Sequence, residues 1–117
     1  MTRITHKHNG IIVQEITHDG ILIKDVQDII DLMSDSSVRM FIFKKENFHS
    51  DFFDLKTGVA GEILQKASTY RISIGIVGDF NNIESKSLRD FIYESNKTGQ
   101  ILFKESSDQV LRIFFRE

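Results

Sequence analysis

The sequence predicts an α/β fold, a mixed sheet with an N-terminal hairpin and helices over its faces. Asn9 and Gly10 separate two strand-like segments, and Asn-Gly favours a two-residue hairpin because both turn positions need positive φ. Further along, short apolar strands without alternation are separated by amphipathic helical segments, which is typical of parallel strands joined by helices. We therefore expect residues 1–117 to form one domain with the element order ββαβαβαβα.

The N-terminal half predicts a hairpin, a helix and a buried strand. The hairpin strands are RITHK and IIVQEI, and ILI continues extended after a second turn, THDG. In KDVQDIIDLMSDSS, apolar residues recur at helical spacing behind Asp25, which can cap the first turn, and Asp28 lies near the positive end of this helix. VRMFIFKK is apolar or β-branched throughout, which indicates a strand covered on both faces.

The stretch DFFDLKTGVAGEILQKASTYR, from Asp51 to Arg71, predicts one long second helix. Gly58 and Gly61 lie inside it, although a glycine in a helix interior costs about 1 kcal/mol relative to alanine. We expect these glycines to allow close packing on the sheet or the next helix. The alternative is a shallow groove that admits a partner or an apolar ligand. The apolar stripe of this helix is formed by Leu55, Val59, Ala60, Ile63, Leu64 and Ala67.

The C-terminal half completes the alternation. RISIGIVGD is a second buried strand, so strand, helix and strand form a right-handed βαβ unit. ESKSLRDFIYESNKTG predicts a helix that begins after Ser85 and ends at Gly99. QILFKE predicts the last strand, and SSDQVLRIFFRE predicts a last helix that begins at its serine pair.

Composition excludes several kinds of function. The 15 basic and 17 acidic residues are interspersed and give a net charge of −2, so nucleic acid is not an expected partner. No cysteine is present, which excludes thiolate metal sites and a cysteine nucleophile. No apolar segment approaches the roughly 20 residues of a membrane helix, and the polar N-terminus does not resemble a signal peptide. We therefore expect a cytoplasmic protein with no membrane span.

Motifs for cofactors and catalysis are also missing from the sequence. GDFNN contains neither a dinucleotide-binding fingerprint nor a Walker pattern, and there is no nucleophile elbow. His6 and His8 are two apart on a strand and share a face, but a solvated edge strand explains them and no metal is predicted. No cofactor and no catalytic residue are expected.

Three segments, DVQDIIDLM, FFDLKTGVAGEILQKASTYRISIGIVGDF and SKSLRDFIYESN, resemble a bacterial family called domain of unknown function 4180 (DUF4180), a name that implies no activity. The element order resembles the STAS or SpoIIAA-like fold of anti-sigma-factor antagonists, in which a partner kinase phosphorylates a serine of an Asp-Ser-Ser-Gly-like stretch. With Gly58 on that glycine, Leu55 and Lys56 replace the acid and the phosphorylated serine, and Thr57 is a substitute hydroxyl one position along. The resemblance therefore implies the fold and not the phosphorylation switch.

Two regions are candidate sites. One is the start of the second helix, Asp54–Gly61; the other is the sheet edge where KKENFHSDFFD and GDFNNIESKS follow parallel strands. Lysines and helix N-termini at that edge suit a small anion, but Ser50, Asp51, Asp54 and Ser85 can cap those helices, and capping is the expected use. The predicted binding residues are Asp54, Thr57, Gly58, Gly61, Glu62, Asp79 and Phe80.

Three functions stay open. The first is a non-enzymatic module of bacterial regulation that binds a protein partner through the surface around Asp54–Gly61. The second is a carrier or sensor of a small apolar molecule, which needs an apolar cavity of roughly 300 Å³ or more. The third is an enzyme that uses Asp79 with Asp51 or Asp54, which needs convergent carboxylates. Phenylalanine pairs at 52–53 and 114–115 indicate either a wide buried face or a homodimer or partner contact.

Overall fold

A computed structural model of the chain describes residues 2–34 and 36–116. The predicted first and last helical segments include Asp35 and Glu117, which lie outside the described residues, as does Met1. The sheet has five strands in chain order. They are β1 (Arg3–His8), β2 (Ile11–Ile16), β3 (Met40–Lys44), β4 (Ser73–Val77) and β5 (Ile101–Lys104).

The sheet is mixed, as predicted. β1 pairs antiparallel with β2, and β2 to β5 run parallel to one another. The hairpin turn has positive φ at both central residues, 50° at Asn9 and 81° at Gly10, which is the geometry that Asn-Gly favours. The α/β class and the N-terminal hairpin are therefore confirmed, whereas the STAS-like fold stays a prediction.

The described residues contain five α-helices, α1 (Val26–Ser34), α2 (Ser50–Phe53), α3 (Val59–Tyr70), α4 (Lys86–Thr98) and α5 (Ser107–Phe114). α1, α3 and α4 each lead to the next parallel strand in the same direction across the sheet. Right-handed crossovers of this kind place their helices on one face, and α5 covers the other face. None of these helices has the length and apolar character needed to cross a membrane.

Two apolar cores lie on opposite sides of the sheet. Phe41, Phe43 and Ile76 face the larger core with α1, α3 and α4, while Ile42 faces the smaller core with α5. β3 and β4 each bury three consecutive residues, which confirms that these strands are covered on both faces. One ring of each phenylalanine pair is buried, Phe52 and Phe114, and the other is half-buried.

Polar side chains and glycine set the helix boundaries. Ser85 Oγ accepts a hydrogen bond from Leu88 N at 3.2 Å, and α4 ends at Gly99. Asp25 Oδ1 accepts from Gln27 N at 3.0 Å, and the C-terminal serine pair begins α5. The caps that the sequence predicts at these positions are confirmed.

The stretch from Asp51 to Arg71 is not one helix. α2 ends at Phe53, a 3-10 turn covers Leu55–Thr57, and α3 begins only after Gly58. Gly58 has φ 81°, a conformation that glycine adopts without the strain of a Cβ. The prediction that Gly58 lies inside a helix is therefore wrong, because side chains before it favour a turn over helix continuation.

Close packing is the role of two other glycines. A Cβ at Gly61 would meet nothing within 4 Å, so the expectation that Gly58 and Gly61 make room for a packed neighbour is wrong. A Cβ at Gly75 would lie 2.5 Å from Val110 Cγ1, and one at Gly78 would lie 2.7 Å from Lys45 Cβ. Gly75 therefore lets α5 approach β4, and Gly78 lets the lysine stem cross the end of β4.

Gly75→Ala should lower the free energy of unfolding by about 1–3 kcal/mol, because the new methyl group overpacks the interface with Val110. Gly61→Ala is the matched control, and it should raise the free energy of unfolding by about 0.5–1 kcal/mol through helix propensity. Urea unfolding followed by circular dichroism measures both changes. Equal effects of the two substitutions would contradict the assigned roles.

Candidate functional site: a cleft at the carboxyl edge of the sheet

A cleft of about 900 Å³ opens where β2, β3 and β4 end, and we call it the edge cleft. Three crossover helices occupy one face of the sheet, whereas α5 alone covers the other and packs on β3, β4 and β5. The edge cleft is lined by residues of both cores, Phe43 and Phe48 of the larger one and Ile42 of the smaller one. The apolar wall of the edge cleft includes Ile16, Ile21, Ile42, Phe48, Phe53 and Val77.

Asn47 joins two walls of the edge cleft. Its side chain is fully buried, and Nδ2 donates to the carbonyl oxygens of His18 at 2.9 Å and Gly20 at 2.8 Å. Oδ1 accepts from Lys44 N at 2.8 Å, and the Asn47 carbonyl accepts from two backbone amides of the 18–23 loop. The loop that leaves β2 is thereby fixed to the end of β3, with every polar atom of the Asn47 side chain partnered.

A short strand-like pairing continues this junction. Ile23 forms an isolated parallel bridge with Phe48, and His49 N donates to the Ile23 carbonyl at 2.9 Å. Ile21 lies in the same loop and lines the edge cleft while 53% of its surface stays exposed. The hydrogen bonds around Asn47 therefore fix an apolar side chain at the opening of the edge cleft.

Lys45 is a half-buried cation whose contacts are with neutral groups. Its ammonium donates to the Asp79 carbonyl oxygen at 2.8 Å and lies 5.1 Å from the ring centroid of Phe80 and 5.9 Å from that of Phe53. Both ring distances are within the range of cation–π attraction. Across residues 2–34 and 36–116, no carboxylate forms an ion pair with this ammonium.

The neighbouring Lys44 is paired differently. Its Nζ lies 2.7 Å from Asp19 Oδ1, and this hydrogen bond raises the pKa of Lys44 and lowers the pKa of Asp19. Both groups stay charged at neutral pH. Within the described residues, Lys44 therefore has a carboxylate partner and Lys45 has none.

Two carboxylates of the edge cleft are also engaged. Glu15 Oε1 lies 2.8 Å from His6 Nε2, and its other oxygen accepts from the Ser107 hydroxyl at the start of α5. Asp79 Oδ1 accepts from Asn81 N at 2.9 Å within its own turn. These two side chains therefore contribute to the structure of the edge cleft wall.

The structure brings together the two segments that the sequence placed at one sheet edge, and the contact between Lys45 and Asp79 confirms this part of the prediction. Asp79 lines the edge cleft, and Phe80 packs edge to face on Phe103 with ring centroids 5.3 Å apart. Asp54–Gly61 and Glu62 do not line it. Of the predicted binding residues, Asp79 alone therefore lines the edge cleft.

Side chains in the exposed turn before α3 are used to hold its shape. Asp54 Oδ1 accepts from Lys56 N at 3.3 Å, which confirms its capping role. The Thr57 hydroxyl lies 2.6 Å from the Asp51 carbonyl oxygen and 2.9 Å from that of Asp54. The cap of α2 is His49, whose Nδ1 accepts from Asp51 N at 3.0 Å, so the expectation that Ser50 or Asp51 caps this helix is wrong.

The residues weighed for catalysis and metal binding are dispersed. Asp79 lines the edge cleft, but Asp51 and Asp54 do not. His6 contacts Glu15, and His8 packs on Phe115 with ring centroids 5.4 Å apart. Within the described parts of the chain, no group of three His, Cys, Asp or Glu side chains comes close enough to hold a metal ion.

Sequence reasoning missed Asn47, Ile21 and Phe48. The one local signal for Asn47 and Phe48 is the segment KKENF, which directly follows a buried strand. In this segment a polar residue lies between charged residues and an apolar residue. A buried amide at such a position must find partners from another segment. The identity of that segment depends on contacts that are distant in sequence.

A protein-family model with the description Domain of unknown function (DUF4180) matches residues 8–113. The chain belongs to this family. Comparisons with curated proteins and with solved structures give no match. The matched range of this DUF4180 protein includes Asn47 and all the residues that line the edge cleft.

Asn47→Ala should lower the free energy of unfolding of the DUF4180 protein by about 2 kcal/mol or more, because buried carbonyls and an amide lose their partner. Asn81→Ala is a matched control on an exposed side chain and should change stability by less than about 0.5 kcal/mol. Urea unfolding by circular dichroism gives both values. A neutral Asn47→Ala would show that this side chain does not hold the cleft walls together.

Proposed function

We propose that this DUF4180 protein is a non-enzymatic binding module that takes a small molecule with an apolar body in the edge cleft. The observation that carries the proposal is a cleft of about 900 Å³ with a mainly apolar lining. Sites for small ligands typically measure about 300–1,000 Å³ and are lined by apolar side chains with a few polar groups. The carrier or sensor hypothesis is therefore favoured, with its ligand in the edge cleft.

The fixed wall of the edge cleft supports this proposal. Ile21 keeps 53% of its surface exposed, and Phe53 and Val77 are half-buried, so apolar surface stays in contact with water. Covering it with a ligand recovers roughly 25 cal/mol per Å². Hydrogen bonds around Asn47 hold the wall before any ligand arrives, which lowers the entropy cost of binding.

Binding is favoured over catalysis because two cleft carboxylates already serve other groups. Glu15 contacts His6 and Ser107, and Asp79 accepts from the amide of Asn81. A general acid or base must be within hydrogen-bond reach of the proton that it transfers. An acid–base pair of Asp79 with Asp51 or Asp54 would need both carboxylates in the edge cleft. Neither Asp51 nor Asp54 lines it.

Ile21→Asp should weaken binding of the neutral fluorescent probe N-phenyl-1-naphthylamine at least about tenfold, because covering an isoleucine with apolar surface is worth roughly 1.5–3 kcal/mol. The matched control is Ile113→Asp, which changes an isoleucine that is 44% exposed and does not line the edge cleft. Its affinity should stay within about twofold of the original. Fluorescence titration measures both affinities, and equal binding by the two variants would contradict a ligand site in the edge cleft.

Protein-partner binding through Asp54–Gly61 is a second candidate. The observation that favours it is that this exposed turn is held by the capping bonds of Asp54 and Thr57, so little entropy is lost when a partner binds. The turn also begins one residue after Phe53, which lines the edge cleft. Binding in the cleft and partner binding could therefore be combined in one sensor.

The charge exchange Lys56→Glu with Glu62→Lys should remove at least about 80% of a specific partner, because it inverts the local charge pattern of an interface. Lys86→Asp with Asp90→Lys is the control, since it exchanges a salt bridge of 2.8 Å on α4. Neither exchange alters the net charge. Quantitative mass spectrometry after affinity purification compares the two, and a partner set that is equal in both would argue against this surface.

A further inference from the structure

We propose that the ligand of the edge cleft is an amphipathic monoanion, an apolar body with one carboxylate or sulfonate group, whose charge is bound by Lys45. This inference rests on the proposed function, because it names the class of ligand for the same cleft. It follows from the contacts of one ammonium group and from the balance of charges around it. The apolar part of the ligand would contact Ile21, Phe53 and Val77, which line the edge cleft.

In the part of the chain that the structure describes, the ammonium of Lys45 has no anionic partner. A carbonyl oxygen at 2.8 Å and two aromatic faces hold the ammonium in place, so part of the entropy cost of fixing a lysine is already met. A carboxylate or sulfonate would add a charge-assisted hydrogen bond, which is roughly twice as strong as a neutral one. An anion therefore gains from Lys45 an interaction that the protein itself does not supply.

The ammonium of Lys45 lies beside the apolar surface of the edge cleft. Phe53 both lines the edge cleft and receives the Lys45 ammonium on its ring, so the cation adjoins the apolar surface. Gly78 makes this placement sterically accessible, because a Cβ there would lie 2.7 Å from Lys45 Cβ. A ligand with an apolar body and a charged end would contact both parts of the site at once.

The charged residues that line the edge cleft limit the number of negative charges on its ligand. Glu15, Glu46 and Asp79 line the cleft together with Lys44 and Lys45. Lys44 is paired with Asp19 outside this set, so Lys45 is the lysine of the lining that has no carboxylate partner among the described residues. The three carboxylates repel a second negative charge on a ligand. The site therefore favours a single negative charge over a dianion such as a phosphate monoester.

The test compares two probes that differ by one anionic group. 8-Anilinonaphthalene-1-sulfonate has the ring system of N-phenyl-1-naphthylamine with an added sulfonate. Lys45→Met should weaken binding of the sulfonate probe about tenfold, because the charge-assisted bond is lost, and leave the affinity for the neutral probe within about twofold. Lys97→Met is the matched control, because the Lys97 ammonium also lies over an aromatic ring, 4.5 Å from the centroid of Tyr93, and does not line the edge cleft. It should leave both affinities within about twofold. Circular dichroism and urea unfolding verify that each variant is folded.

The result that would overturn the inference is equal affinity of the sulfonate probe for Lys45→Met and the original chain while the neutral probe still binds in the cleft. If neither probe binds, or if Ile21→Asp leaves both affinities unchanged, the proposed function itself fails. Should Lys45→Met not fold, Lys45→Gln and a salt titration of the original chain replace it. Sulfonate affinity must then fall as sodium chloride rises from 50 to 500 mM while neutral-probe affinity does not, and parallel curves would overturn the inference.

Discussion

The buried side chain of Asn47 is the interaction on which the carboxyl edge of the sheet depends. The loop from β2 to α1 passes over the end of β3, where the carbonyls of His18 and Gly20 would lie without partners in the protein. One amide group binds both carbonyls and the backbone amide of Lys44. A buried polar group without a partner raises the free energy of the folded state. Separation of the loop from the strand end is therefore unfavourable. The edge cleft exists because this junction is rigid while its apolar residues stay accessible.

The topology explains why that edge is open. Each of the three crossovers leads to the adjacent strand in the same direction across the sheet. Their helices therefore share one face of the sheet. A sheet of this order has no point at which the winding reverses, which is where many α/β proteins bind their ligands. The edge cleft lies instead at the ends of β2, β3 and β4, between residues of both cores. The approach of α5 to β4 is close because Gly75 has no side chain to separate them from Val110.

The charged side chains of the edge cleft differ in their partners. Glu15 holds the start of α5 and the neighbouring strand β1, and Lys44 pairs with Asp19. Lys45 lies among neutral groups, between the segments that follow β3 and β4. In this DUF4180 protein, a cation therefore lies beside an apolar cleft. The exposed turn at Asp54–Gly61 adjoins the same cleft through Phe53.

The sequence by itself determined the features that depend on neighbouring residues. The positive φ angles of Asn9 and Gly10, the caps at Ser85 and Gly99, and the doubly covered strands all follow from local pattern. The tertiary structure decided what the glycines do, because a missing Cβ has meaning only when the facing atoms are known. It also decided that Asn47 meets a loop almost 30 residues earlier in the chain, and that Ile21, Phe53 and Lys45 meet in one cleft. The periodicity of apolar residues in the sequence indicates which residues are buried. The pairing of distant segments depends instead on packing in three dimensions.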